Sequence, residues 1–589
     1  MRNIVLLILL LSFLGCTQTI TSPDFLNLGF DETIPGSEEV PYGWYYHPKG
    51  GYTLKLVSNS QGGKLMYIHC NKGYQPEDSL ITGKFHTDLP AELVKGKEVE
   101  IRCKIKTKAV TKYAGLFIEA RDSTFKELIR LVPTEETGVR ATKNWQEISL
   151  KTTFGNDVRY ICFGGMLYER GSAWFDDFEV YIDGKRLANN TSILKEPTAK
   201  EVEWLRQYAY PIKTLSPDTT DDSDLALIGE GIGNAPMVIL GEPVNGAGEI
   251  QSVKHRVAKY LADHKGFSHI SMDATISQAS MLNNYVGKGI GEKHNVARRT
   301  LFNASQELSD FIQWARKCSE DGRPIRFSGH NSSFLAQPPM DIFRDSFKDF
   351  PDVLRTIEIL EIEYRKVIDN RLWGMLSEDE INGFFMLASP LYEAILNIKD
   401  KEYQYVMLHY YRMFEQAITC KRSDMLNLLS FVTENMLWEH RHKGGKTVLW
   451  SDSWGVGNEK DMLLNSLADS LSCAIPSIGF AFGKGSLKNA FRDIRNNKDE
   501  ESKRVMDAFP GSFEYYFGQL GESAVIIDLR SAKEDPSPQG EWLRKRLFFR
   551  KISYNINIQQ TVIKFSETPL VDDYDFLIYF DQVSPAKPL

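Results

Sequence analysis

Two patterns of apolar and polar positions divide the chain. Across residues 27–187, short alternating runs such as Val99-Glu100-Ile101-Arg102-Cys103-Lys104-Ile105-Lys106-Thr107 sit between Gly, Pro and Asp turns. A period of two turns one face of each strand inward and leaves the other wet, so this stretch predicts an all-β jelly-roll sandwich. From residue 200 onward the pattern changes: apolar runs of strand length alternate with helical periodicity. It predicts helices at 200–208, 224–233, 247–264, 278–285 and 306–318, and strands at 237–240, 269–272 and 324–328. Strands resume at 447–450, 477–481, 524–529 and 576–580, after a helix-rich stretch of about 353–443 with few strand signals. Strands alternating with helices argue for βαβ units, hence a mostly parallel sheet flanked by helices with a helical insertion. The expected organisation is multidomain: a β-sandwich at 27–187, a polar connector at 188–199 and an α/β domain at 200–589.

The first residues change the picture of where the protein resides. Arg2 gives a positive start, residues 4–14 are nearly all apolar, and Gly15 precedes Cys16. This reads as a bacterial secretory signal over residues 1–16 ending in a lipobox, with Cys16 as the lipidated mature N-terminus and residues 17–26 as a polar tether. An ordinary signal peptide with an incidental cysteine is the alternative. Several acyl chains would anchor the protein firmly to a bacterial membrane. The outer membrane is expected, because the tether lacks an acidic run we favour its periplasmic side, and surface exposure stays open. No later stretch approaches the roughly 18 apolar residues of a membrane-spanning helix. The formal net charge is −8 with no basic stripe, which argues against nucleic acid as a partner. Six cysteines follow Cys16 without a Cys-x-x-Cys pair, so zinc is not indicated and most are expected as buried small hydrophobes.

Candidate chemistry centres on Met237-Val238-Ile239-Leu240-Gly241-Glu242-Pro243-Val244-Asn245-Gly246. A β-branched apolar run ends in Gly-Glu-Pro just before a helical pattern, a strand-turn-helix junction. In parallel α/β sheets the binding crevice forms at the carboxyl ends of strands, so Glu242 is the first candidate site residue. The plain alternative is that Glu242 and Asn245 merely begin the next helix. The run from Leu240 to Arg256, followed by Lys265-Gly266-Phe267 and Met272-Asp273-Ala274, resembles the erythromycin esterase family. Further fragments of that pattern recur in order: Ile325-Arg326-Phe327-Ser328-Gly329, Val448-Leu449-Trp450, Ile478 to Ser486, Ile526 to Arg530 and Tyr574 to Asp581. The resemblance covers about residues 198–589 and implies hydrolysis of an ester, the family's own being a macrolide lactone opened by water that a histidine base activates.

The departures from the family pattern concern its site. By that resemblance Glu242 matches the first glutamate, Asp273 stands for a glutamate and Lys254 for a basic residue. The family histidine after the first strand is here Asn245, which has no titrating proton in the useful range. The late Trp-Ala-His-Asn-x-His motif reads Trp450-Ser451-Asp452-Ser453-Trp454-Gly455, so Asp452 and Gly455 replace both of its histidines. Macrolide hydrolysis is therefore in doubt. The candidate catalytic set is Glu242, Asp273, Asp452, Asn245 and Lys254, with His330, Asn331 and Trp454 as candidates for holding substrate. Lys254 has a plain alternative, a lysine running along the surface of its helix. Clustered carboxylates either raise one another's pKa or recruit a hard cation, so calcium or magnesium at Glu242, Asp273 and Asp452 is a hypothesis; no other cofactor is expected. The competing reading is a catalytically degenerate, membrane-anchored protein that binds a small ester or glycan. His440 and His442 read as solvated.

The ends of the β region, Asn27-Leu28-Gly29-Phe30-Asp31-Glu32 with Pro41-Tyr42-Gly43-Trp44, and Ala173-Trp174-Phe175-Asp176-Asp177-Phe178, resemble carbohydrate-binding-module and galactose-binding-like sandwiches. Sugar binding would use exposed rings, for which Trp44, Tyr45, Tyr46, Trp145 and Trp174 are available; Trp44 and Trp174 are expected in the core, and a plain spacer domain is the favoured alternative to sugar binding.

Overall fold

The computed structural model describes residues 19–21 and, from residue 27, all except 32, 34–40, 42–43, 47–50, 60–61, 72–81, 90, 123–126, 189–195, 245, 273, 301–303, 330–338, 370–373, 421–424, 453–462, 489–502, 506, 546 and 551–564. Two compact units divide after Ile193.

Among the described residues the first unit is all-β apart from one turn of helix, α1 (Ala91–Val94). Its strands are β1 (Thr19–Thr21), β2 (Tyr45–Tyr46), β3 (Tyr52–Ser58), β4 (Lys64–Cys70), β5 (Thr82–Asp88), β6 (Glu98–Arg121), β7 (Glu127–Leu131), β8 (Val139–Thr153), β9 (Tyr160–Tyr168), β10 (Gly171–Ile182) and β11 (Lys185–Ala188). The 24-residue β6 pairs with β10 and β8 along its first half and with β9 and β7 along its second, so one strand serves both layers. Alternation along β3, along β6 as far as Lys108 and along much of β10 buries every second side chain, as the sequence predicts. Trp44 lies at the centre of an aromatic core with Phe30, Phe85, Phe163 and Phe178, its indole N–H donating to the Asn27 carbonyl at 2.9 Å. Trp174 departs from expectation: it is half-buried on the outward side of β10, while its neighbours Ala173 and Phe175 take the inward positions. Thr19–Thr21, read as tether, pairs in parallel with β11. Cys70, Cys103, Cys318 and Cys420 are buried.

The second unit is α/β. Its helices are α2 (Ala199–Arg206), α3 (Ala226–Ile232), α4 (Gly248–Lys265), α5 (Ile276–Lys288), α6 (Lys293–Thr300), α7 (Gln306–Glu320), α8 (Met340–Ser346), α9 (Pro351–Asp369), α10 (Glu378–Leu396), α11 (Lys401–Thr419), α12 (Met425–Lys443), α13 (Leu463–Leu471), α14 (Phe513–Gly518), α15 (Leu529–Glu534) and α16 (Leu570–Asp573). Its strands are β12 (Ala209–Pro211), β13 (Met237–Glu242), β14 (Phe267–Met272), β15 (Arg326–Gly329), β16 (Lys446–Asp452), β17 (Ser477–Leu487), β18 (Lys503–Val505), β19 (Ala524–Asp528), β20 (Leu547–Arg550), β21 (Phe565–Thr568) and β22 (Phe576–Val583).

The main sheet runs β12-β19-β22-β17-β13-β16-β14-β15. Six strands, β22 to β15, are mutually parallel; β19 enters antiparallel to β22 and β12 antiparallel to β19. The central β13 is buried at all six positions, which is why its sequence reads as a continuous apolar run instead of an alternation. One core lies under α4, α5 and α7, with Val238, Leu240, Ile270 and Phe480 facing it. Ile239, Leu449, Ala481 and Tyr579 face a second core with α14 and α15. α8 to α11 carry a separate core around Ile357, Leu360, Leu391, Met407 and Phe414, so the inserted helices fold on their own apolar interior. His440 and His442 are half-buried, and His442 stacks at 4.6 Å on Trp438, so the expectation of solvated side chains does not hold.

Candidate active site

The carboxyl ends of β13, β16, β14 and β15 lie side by side. Glu242 is in register with Asp452, Leu240 with Trp450, and Met272 with both Trp450 and Gly329. Glu242 thus closes a strand in the parallel part of the sheet, at the end where parallel strands bind ligands. It is 6% exposed.

α4 supplies the countercharge. It starts at Gly248 and presents Ile250, Val253, Val257 and Leu261 to the sheet, and Lys254 shares that buried stripe. Lys254 is fully buried, which removes the reading of a lysine running along the helix surface. Its Nζ lies 3.5 Å from Glu242 Oε1 and donates to the Ser451 carbonyl at 3.1 Å. The ammonium also sits 4.6 Å from the Trp450 ring centroid and 5.9 Å from that of Phe480. A carboxylate, a carbonyl and two ring faces therefore surround one buried cation, which ties α4 to the ends of β13 and β16. Burying a charge is costly unless it is paired and hydrogen-bonded, and Lys254 meets both conditions.

The connection from Glu242 to α4 is clamped by backbone. Gly246 has φ +93°, and a Cβ there would stand 2.2 Å from the Lys488 carbonyl oxygen, so the position demands glycine. Its own carbonyl accepts the Lys488 N–H at 3.0 Å and the Ala586 N–H at 2.8 Å. Gly246 is thereby fastened to the chain beyond β17 and to the C-terminal segment.

Of the sequence candidates, the structure brings Glu242 and Lys254 together and sets the backbone of Asp452 beside Glu242. Asn245, Asp273, His330, Asn331, Trp454 and Gly455 lie outside the described residues, as does Cys16, and nothing is described of the Asp452 side chain. Among the described residues no group of three or more His, Cys, Asp or Glu side chains is arranged to hold a metal. Ser451 and Trp450, which grip Lys254, were not singled out from sequence, although they stand in the motif that carries Asp452.

Two further buried charge pairs flank this region. Arg256, two residues after Lys254, donates from Nη1 to Asp224 Oδ2 and to the Thr214 carbonyl, both at 2.8 Å. Burial pushes the Asp224 carboxyl up, but the hydrogen bonds from Arg256 and from the Lys213 N–H outweigh it and hold it below its ordinary value. Past the end of β17, Glu514 accepts the Arg550 N–H at 2.7 Å, and Arg550 Nη2 donates to the Gly483 carbonyl at 3.2 Å. Burial pushes the Glu514 carboxyl up to about 7 against the lowering effect of the Arg550 guanidinium. No sequence signal pointed to this pair. A groove of about 710 Å³, lined by Tyr405, Trp438, Arg441 and Asp469 among others, follows α12 and α13 and receives no residue from the strand ends.

Residues 406–583 match the family model described as erythromycin esterase. That span includes β16, with Asp452, and excludes Glu242, Lys254 and Asp273. Among solved structures, a Bacillus cereus protein is 23% identical, with a TM-score of 0.55, over 67% of this chain and 99% of its own. Erythromycin esterase EreC in an open conformation is 14% identical, with a TM-score of 0.49, over 65% of this chain and 99% of its own. A xylan-binding CBM22-1 domain from Paenibacillus barcinonensis is 14% identical, with a TM-score of 0.20, over 26% of this chain and 90% of its own. No curated protein sequence matches the chain. The B. cereus protein supports the α/β fold of the second unit.

Proposed function

We propose that the second unit hydrolyses an ester or lactone of a small molecule at the carboxyl ends of β13 and β16, with carboxylates in place of the family's histidines. The observation that carries this reading is the buried Glu242–Lys254 pair at the end of the central strand. Glu242 orients water and takes its proton, and Lys254, gripped by the Ser451 carbonyl and the Trp450 ring, fixes the carboxylate and supplies positive charge where an oxyanion develops. Asp452, the last residue of β16, and Asp273, next in sequence after β14, are proposed to add negative charge, which either keeps a proton in the site near neutral pH or draws in calcium or magnesium. Asn245 orients water or the carbonyl and Trp454 meets the apolar part of the substrate. On this reading the protein acts at a bacterial membrane, held there by lipid on Cys16.

A second reading is a cleft that binds its ligand without turnover. It is favoured by the same salt bridge, because a carboxylate already committed to an ammonium is a poorer base than a free histidine. The test is hydrolysis of erythromycin and a panel of simple esters by protein lacking residues 1–16, with and without added calcium or magnesium. The proposal expects turnover that Glu242→Gln abolishes and Asp452→Asn reduces at least tenfold. Absence of turnover on every ester by folded protein, with a ligand still bound, establishes the second reading instead.

A further inference from the structure

The outward face of the first unit carries an ordered row of rings and ammonium groups. Strand register sets Lys55 of β3 against Tyr67 of β4, Tyr67 against Trp174 of β10, and Trp174 against Lys106 of β6. The next row reads Thr53, His69, Ser172 and Lys108. The inward positions between them, Leu54, Ile68, Ala173 and Thr107, are buried, so these eight side chains belong to the solvent side of the sheet.

The patch is organised. The Tyr67 and Trp174 rings lie 5.1 Å apart, Lys106 Nζ stands 5.6 Å over the Trp174 ring, and Tyr67 and His69 are nearly parallel at 6.1 Å. Ser172 Oγ ties the rows together through the Tyr67 hydroxyl at 3.3 Å and His69 Nδ1 at 3.0 Å. Trp145, 41% exposed, stands in the bulge of β8 between the partners of Ile105 and Thr107, opposite Lys106. Neither row contains a carboxylate; the row beyond brings in Asp176 and Glu147 beside Lys104, and there the basic character ends.

We propose that this face binds an acidic polysaccharide, a polymer of sugar rings that carry carboxylates. The flat apolar faces of pyranose rings match a tier of half-exposed aromatics, and ammonium groups at both ends of the row, Lys55 and Lys106, answer ring carboxylates. Four strands at about 4.8 Å spacing give the row a length of roughly 14 Å, enough for a few consecutive sugar rings. The surface is a platform with open ends, which suits an internal stretch of a polymer. A nucleic acid strand needs a basic track along its phosphates, whereas this patch stops after two rows at Asp176 and Glu147. The proposal concerns the first unit alone and holds whether or not the second unit turns over an ester.

The experiment is titration of the full chain with polygalacturonate by calorimetry, alongside neutral xylan and oligo-dT. Binding to polygalacturonate is expected, weakening with salt and stronger than to xylan or oligo-dT. Trp174→Ala and the exposed-site variants Lys106→Gln and Lys108→Gln should each weaken it, the ring loss by about tenfold. The two lysine variants alter solvent-exposed side chains and keep the test valid if Trp174→Ala fails to fold. Equal, salt-independent binding to xylan, tighter binding to oligo-dT, binding unchanged in all three variants, or no binding at all overturns the proposal.

Discussion

Replacing Lys254 by methionine tests whether the candidate site is an electrostatic unit. Methionine keeps the apolar contacts of the lysine stem with Trp450 and Phe480 but removes the ammonium. Glu242, 6% exposed, would lose the charge 3.5 Å from its Oε1, and the Ser451 carbonyl would lose its 3.1 Å donor. Breaking a buried pair by removing one partner typically costs about 3–5 kcal/mol, since the other charge is left uncompensated. For a unit of this size each kcal/mol moves the melting midpoint by about 2 °C, so we expect a drop of roughly 5–10 °C in the transition of the second unit. Differential scanning calorimetry resolves it if the first unit melts separately, and hydrogen exchange on β13 and β16 reads it otherwise. Adding Glu242→Gln removes the stranded charge, so the double variant should recover at least half of the loss, a coupling well above 1 kcal/mol. A shift under 1 °C for Lys254→Met, or losses that simply add, would refute the view that these two side chains share a desolvated charge pair.

Two titrating groups give predictions of opposite sign in pH. Burial, reinforced by Lys259, pushes the His255 imidazole down to about 3, so the folded state keeps it neutral while the unfolded chain takes a proton below about 6.5. Its contribution is present above pH 6.5 and is lost as pH falls towards 3, so His255→Leu, which keeps an apolar side chain against Phe311 and Trp314, should flatten the fall of the melting midpoint between pH 6.5 and 4. Glu514 runs the other way: with the folded carboxyl raised to about 7, stability is full below about 4.5 and declines as pH rises through 7, by roughly 3 kcal/mol at most. Glu514→Gln should therefore gain on the parent protein from pH 5 to 8 in urea unfolding; parallel pH profiles would remove the assignment.

What the sequence revealed follows from where each signal comes from. β13 was legible because a strand buried on both faces must be apolar throughout, and its end was marked by Gly-Glu-Pro. α4 was legible from its apolar stripe, but the same stripe concealed Lys254: periodicity weighs apolar positions, and a buried lysine there looks like a surface lysine until the opposite strand ends are known. The antiparallel entry of β19 was not legible, since a buried strand in either direction reads as Ala-Val-Ile-Ile-Asp. Trp174 was misjudged for a related reason. The motif around it alternates, and whether Trp174 or Phe175 faces inward is a matter of one residue of register, which β4 and β6 settle by pairing Phe175 with Met66 and Ile105. The Glu514–Arg550 pair joins residues 36 apart, with the Arg550 backbone N–H donating to Glu514, a contact no local pattern encodes.

The arrangement around Lys254 bears on how a site without the family's histidines would work. One ammonium answers Glu242, yet the next strand ends at Asp452 in register with it, and Asp273 follows the last residue of β14. On the proposed reading three carboxylates share one fixed cation, and the excess negative charge must be met by a proton or by a metal. The two cases separate in one assay. If a proton meets it, hydrolysis follows a carboxyl titration near neutral pH, is indifferent to chelator and keeps that profile in added magnesium. If a cation meets it, chelation abolishes turnover, calcium or magnesium restores it, and Asp452→Asn weakens the metal before it weakens the ester. Lys254 distinguishes them as well: it competes with a metal for Glu242, so Lys254→Met would tighten metal binding in the second case, whereas in the first it would raise the pH at which the base becomes active.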